Sequence, residues 1–126
     1  MRRLYPVIVG VLSISAACHN MSNNHSAAGE LAAVVVFSNE SLDQAAVYAV
    51  VPGGESIRIG TVMAGKIDTL TVPASIANSG RTVSIVARPL ASSLVPSTGP
   101  VSIGPGDWIS VRLQADNRNM VVLPIR

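Results

Sequence analysis

Thr82-Val83-Ser84-Ile85-Val86-Ala87-Arg88 and Trp108-Ile109-Ser110-Val111-Arg112-Leu113 decide the fold class. Val83, Ile85 and Ala87 recur at every second position of the first stretch, and Ile109, Val111 and Leu113 do so in the second. Side chains of an extended chain point alternately to opposite faces, so a period of two builds a strand with one face inward and one face wet. Around these stretches the composition agrees. Val, Ile and Thr supply 15, 8 and 5 of the 96 residues from Leu31 to Arg126, and β-branched side chains favour strands over helices. No long helical period interrupts them.

Strands are expected at about Leu31–Ser38, Ala45–Val51, Ser56–Met63, Lys66–Val72, Thr82–Arg88, Val101–Ile103, Trp108–Gln114 and Met120–Ile125. Turn-forming clusters separate them, among them Pro52-Gly53-Gly54, a hairpin turn at Ala64-Gly65, Ser97-Thr98-Gly99-Pro100, Gly104-Pro105-Gly106-Asp107 and Asp116-Asn117. Short strands at this spacing predict an all-β fold: a single antiparallel β-sandwich of seven or eight strands, immunoglobulin-like or transthyretin-like, over residues 31–126. Leu31–Phe37 and Ala45–Val51 are apolar throughout, so they are expected to be central strands covered on both sides, or strands whose second face meets another surface. Pro124 has no amide donor and places the last strand at an edge.

The first 17 residues have a different texture. Arg2 and Arg3 precede an apolar stretch from Leu4 to Ile14, followed by Ser15, Ala16 and Ala17. A basic start, a short apolar run and small residues make an export signal, and the run is shorter than the roughly 20 residues a membrane-spanning helix needs. Nine basic and seven acidic residues give a formal charge of +2, but removal of Arg2 and Arg3 leaves seven of each sign. The remaining basic residues are scattered singly, which argues against nucleic acid as a partner.

The sole cysteine, Cys18, follows Ile14-Ser15-Ala16-Ala17. That arrangement resembles the lipobox of bacterial lipoproteins. The resemblance implies that the Cys18 thiol carries a diacylglycerol and that Cys18 becomes the first residue after cleavage. It also implies that the chain is held on the cell-envelope membrane by acyl chains, each buried methylene contributing about 0.8 kcal/mol. The family's strict pattern has a large aliphatic residue where this chain has Ser15, and Ser15 and Ala17 also satisfy an ordinary secretory cut after Ala17. An unpaired thiol in an oxidising compartment is the less natural product. In the family, an aspartate after the cysteine retains the protein at the inner membrane, so His19 points to the outer membrane, facing the periplasm or the cell surface.

Residues 18–30 form a polar linker on this reading, the eleven from His19 to Gly29 spanning roughly 17 to 20 Å as a flexible coil. His19 and His25 are the only histidines, and without a fixed third ligand they predict no metal site. The domain that follows has neither histidine nor cysteine, which removes the commonest general base, the thiol nucleophile and most zinc or copper sites. Glu40, Asp43, Glu55, Asp68, Asp107 and Asp116 remain, mostly in turns. No catalytic residue, cofactor or metal is expected. Gly60-Thr61-Val62-Met63-Ala64-Gly65-Lys66-Ile67 has the glycine and lysine spacing of a phosphate-binding loop, but Ile67 replaces the hydroxyl residue and the context is two strands.

Three residues are the candidates for ligand binding: Trp108, Tyr48 and Arg112. Trp108 shares parity with Ser110 and Arg112, the wet face. It is either an exposed platform or a rim residue tucked under a loop such as Ala91–Gly99. The run Val36-x-x-Asn39-x-Ser41-x-Asp43-x-x-x-Val47-Tyr48, with Arg58-x-Gly60, Leu70-x-Val72-Pro73 and Pro105-Gly106-Asp107, is similar to small bacterial envelope proteins with one β-sandwich, over most of residues 31–114. The expected function is a lipid-anchored, non-catalytic binding or scaffolding role towards an envelope protein or glycan. The alternative is a carbohydrate-recognition module stacking a sugar on Trp108 or Tyr48.

Overall fold

The computed structural model describes residues 31–125. The leader, Cys18 and the linker lie outside the described residues. Eight strands and one short helix follow in the order β1 (Ala33–Asn39), β2 (Ala45–Val50), β3 (Ser56–Val62), β4 (Ile67–Val72), α1 (Ala74–Ala77), β5 (Thr82–Pro89), β6 (Ser97–Ser102), β7 (Trp108–Leu113) and β8 (Met120–Pro124). They form two four-stranded sheets, β4-β1-β7-β8 and β3-β2-β5-β6. The chain is a β-sandwich.

Strand alternation places the core. Val35 and Phe37 of β1, Val47 and Ala49 of β2, Val83 and Ile85 of β5, and Val111 and Leu113 of β7 are buried between the sheets. Alanines at 45, 49 and 87 contribute small inward side chains beside the one phenylalanine, which is fully buried. β8 is an edge strand, as Pro124 requires, and Pro124 stands opposite Ile109.

Several expectations are corrected. β1 and β7 run parallel, so the sandwich is antiparallel in every pair but one. The immunoglobulin order keeps the first, second, fourth and fifth strands in one sheet. Here β1 and β2 belong to different sheets, which excludes that order and leaves the transthyretin-like alternative. The turn at Ala64-Gly65 is present, with Gly65 at φ 69°, but it is no hairpin: it carries the chain from one sheet to the other. Ser97-Thr98-Gly99-Pro100 belongs to β6 and not to a turn. Gly99 adopts φ 71° within an irregularity of the β5–β6 ladder, where the Thr98 hydroxyl accepts the Ile85 N–H at 3.0 Å in place of a backbone carbonyl. β1 and β2 are central, but neither is covered on both sides. Val34, Val36, Ala46 and Tyr48 are only half-buried, because one face of each sheet has no second layer.

Two local devices hold the sheets in register. The β2–β3 ladder slips at Val47/Tyr48, a bulge that shifts the inward parity from Ile57 to Val62. Beyond it, Gly60 leaves room for Leu70 of the opposite sheet: a Cβ on residue 60 would lie 2.6 Å from Leu70 Cδ2. The glycine of the apparent phosphate loop is therefore a packing residue. At the end of β1, the buried Asn39 side chain donates to Asp43 O at 2.7 Å and to Val62 O at 3.0 Å. Its Oδ1 accepts the backbone N–H of Ser41 at 3.0 Å and the Ser41 hydroxyl at 2.7 Å.

Candidate binding surface

The turn before β7 fixes where Trp108 stands. Asp107 Oδ2 accepts the Gly104 N–H at 2.7 Å, the Asp107 carbonyl accepts the Val34 N–H at 2.8 Å, and the Gly106 N–H reaches Ala32 O at 3.1 Å. Pro105-Gly106-Asp107 is thus tied to the start of β1, and the strand emerges with Ile109 inward and Trp108 outward. Trp108 is 55% exposed. It is not tucked under Ala91–Gly99, since that segment runs from the end of β5 into β6 of the other sheet.

The parallel and antiparallel ladders place the neighbours. Trp108 stands opposite Val34, Ser110 between Val36 and Leu123, and Arg112 between Ser38 and Val121. Val121 and Leu123 are themselves exposed. The outer face of β4-β1-β7-β8 therefore carries Val34, Val36, Val121 and Leu123 among the hydroxyls of Ser38, Thr69, Thr71 and Ser110, with an indole at one end and a guanidinium at the other. Arg112 Nε pairs with Glu40 Oε1 at 3.1 Å, with both side chains about half exposed. Its guanidinium keeps further donors for a ligand.

Tyr48 is elsewhere. It lies on the outer face of β3-β2-β5-β6, paired across the ladder with Arg58 and Val86, and the Arg88 guanidinium sits over its ring, 5.0 Å from the centroid. The two sheets separate Tyr48 from Trp108 and Arg112, and Arg88 occupies a face that a stacking sugar would need. At the pole where β1 begins, an open cleft of about 370 Å³ is lined by Arg81, Ser102, Gly104 and Asp107 among others, but the Asp107 carboxylate is engaged within its own turn. Among the described residues no three His, Cys, Asp or Glu side chains are grouped to hold a metal ion.

Sequence reasoning singled out Trp108 and Arg112 but not Val34, Val36, Val121 and Leu123, which complete their surface. The signal was present: Leu31–Phe37 lacks a polar parity, so its outward positions are apolar as well as its inward ones.

No family model and no curated protein matches the chain. Among solved structures it is similar to an NMR structure of a protein from Eubacterium rectale, 6% identical over 75% of this chain and 91% of that one, with a TM-score of 0.47.

Proposed function

We propose that this chain is a lipid-anchored, extracytoplasmic β-sandwich that works by binding or scaffolding in a bacterial envelope, without catalysis, and that the outer face of β4-β1-β7-β8 is its contact surface. The observation that carries the binding role is the half-exposed Trp108, held by a hydrogen-bonded turn beside the outward Val34 on a face that also presents Val36, Val121 and Leu123. Interface centres are enriched in Trp and Arg, and this face presents one of each. Anchoring rests on the Cys18 lipobox resemblance. Fractionation of cells carrying the chain with and without Cys18→Ser tests it: the native chain sediments with membranes, and the variant is released or remains unprocessed. An intact mass for the native chain that shows Cys18 without acyl groups contradicts the anchor.

A second reading, a carbohydrate module, is favoured by the free indole face of Trp108 and by Arg112 two residues further along the same face. Loss of glycan-array binding in Trp108→Ala supports it. Absence of binding to any envelope glycan ends it.

A further inference from the structure

Six large aliphatic side chains stand exposed at the pole of the sandwich opposite the start of β1. Ladder partners place them together: Ala45 pairs with Val62 and with Pro89, and Ser38 pairs with Ile67. The β1–β2, β3–β4 and β5–β6 connections therefore emerge side by side, and the polar β7–β8 connection, with Asp116 and Arg118, flanks them, since Asn39 pairs with Leu113 and Leu113 with Met120. The first carries Leu42, the second Met63 with Ile67 just beyond it, and the third Leu90, Leu94 and Val95, with exposures from 42% to 98%. Leu42, at 98%, touches almost nothing of its own domain.

These loops are held rigidly. Asn39 and Ser41 bind the β1–β2 connection from within, Lys66 O accepts the Asn39 N–H at 2.9 Å, and Gln44 O accepts the Leu90 N–H at 2.8 Å. Of the nearby acids, Asp43 Oδ2 accepts the Ala91 N–H, Glu40 pairs with Arg112 and Asp116 Oδ1 accepts the Arg118 N–H, while Asp68, beside Ile67, is exposed. A buried polar network thus supports a crown of fully presented aliphatic side chains.

We infer that this crown inserts into a lipid surface. Its composition separates that occupant from a protein partner, because protein hot spots are enriched in Trp, Tyr and Arg and poor in Leu and Val. The exposed large hydrophobic side chains of these loops are Leu, Met, Ile and Val with no aromatic among them, and the cation beside them is Lys66. A fluid hydrocarbon phase needs no shape complementarity and accepts protruding, separated aliphatic tips. Reach permits it. The fourteen residues between Cys18 and β1 have a contour of about 45 to 50 Å, against about 20 Å for the length of β1, so the far pole can turn to the membrane that holds the tether. That reach rests on the anchoring proposal. The affinity of the crown for lipid does not.

The test uses the chain from residue 18 onward with Cys18→Ser, so that neither the apolar leader nor an acyl group contributes, and one new cysteine bearing an environment-sensitive fluorophore, at Leu42→Cys or, at the opposite pole, Ser75→Cys. On titration with phosphatidylcholine and phosphatidylglycerol vesicles, the label at 42 shifts to the blue and is quenched by brominated acyl chains, while the label at 75 does neither. Adding Met63→Ser and Leu90→Ser raises the vesicle concentration for half-maximal response about tenfold or more. An unshifted label at 42 on a folded chain overturns the inference, as does an equal response at both poles. A shift that follows protein concentration without vesicles assigns the crown to a second copy and also overturns it.

Discussion

Asn39, the last residue of β1, donates its side-chain amide to the carbonyl of Val62, the last residue of β3, and so joins the two sheets at a point where no backbone ladder does. The same amide serves Asp43 O, and its oxygen serves Ser41. Asn39→Ala removes these bonds from the Val62 carbonyl and the Ser41 N–H, while Asp43 O keeps the Ser41 hydroxyl at 3.0 Å. A loss of about 2 to 4 kcal/mol is expected, visible as a lower urea midpoint.

Gly60 faces Leu70 across the sandwich with no room for a methyl group. Gly60→Ala is expected to cost about 1 to 3 kcal/mol through overpacking. Combining it with Leu70→Ala yields a loss smaller than the sum of the two single losses, because the shortened side chain relieves the clash. Thermal or urea unfolding of the four-member cycle measures this.

How far these features could be read in advance depends on the residue. Strict alternation in 82–88 and 109–113 made both strands and the Trp108 parity legible, since only an extended chain gives that period. Asn39-x-Ser41-x-Asp43 stood out as a pattern, but its role as an inter-sheet clamp depends on Val62, 23 residues away, which no local signal names. The parallel β1–β7 pair was equally hidden, because strand direction is set by the crossover path and not by side-chain period. Ser97–Pro100 reads as a turn from its residue types, and the Thr98 hydroxyl replacing a backbone acceptor is what allows it to be a strand. Leu42 and Leu90 went unremarked since single apolar residues in loops are common; only the ladders bring their loops to one pole.

The Arg112–Glu40 ion pair is half exposed on both sides. Glu40→Gln is expected to change stability by less than about 1 kcal/mol, as measured by chemical denaturation. If Arg112 contacts a ligand, the same substitution frees its guanidinium, and affinity for an anionic ligand rises while stability holds.

Trp108 is the single tryptophan of the chain, so its fluorescence reports one site. With 55% of its surface in solvent, it is expected to emit on the long-wavelength side of the tryptophan range and to be readily quenched by iodide. Trp108→Ala should cost about 1 to 3 kcal/mol, the burial of the half of the indole that is out of solvent. A blue-shifted, quencher-resistant emission from the unliganded protein is inconsistent with an open face.

The most direct measurement is photo-cross-linking in the envelope of intact cells, with a photoreactive residue at Ser110, on the Trp108 face, or at Ser84, on the outer face of the other sheet. Discrete adducts from position 110 that vanish with Trp108→Ala, and none from position 84, are the predicted result. Adducts from position 84 alone, or an equal pattern from both faces that ignores Trp108, contradict a binding surface on β4-β1-β7-β8.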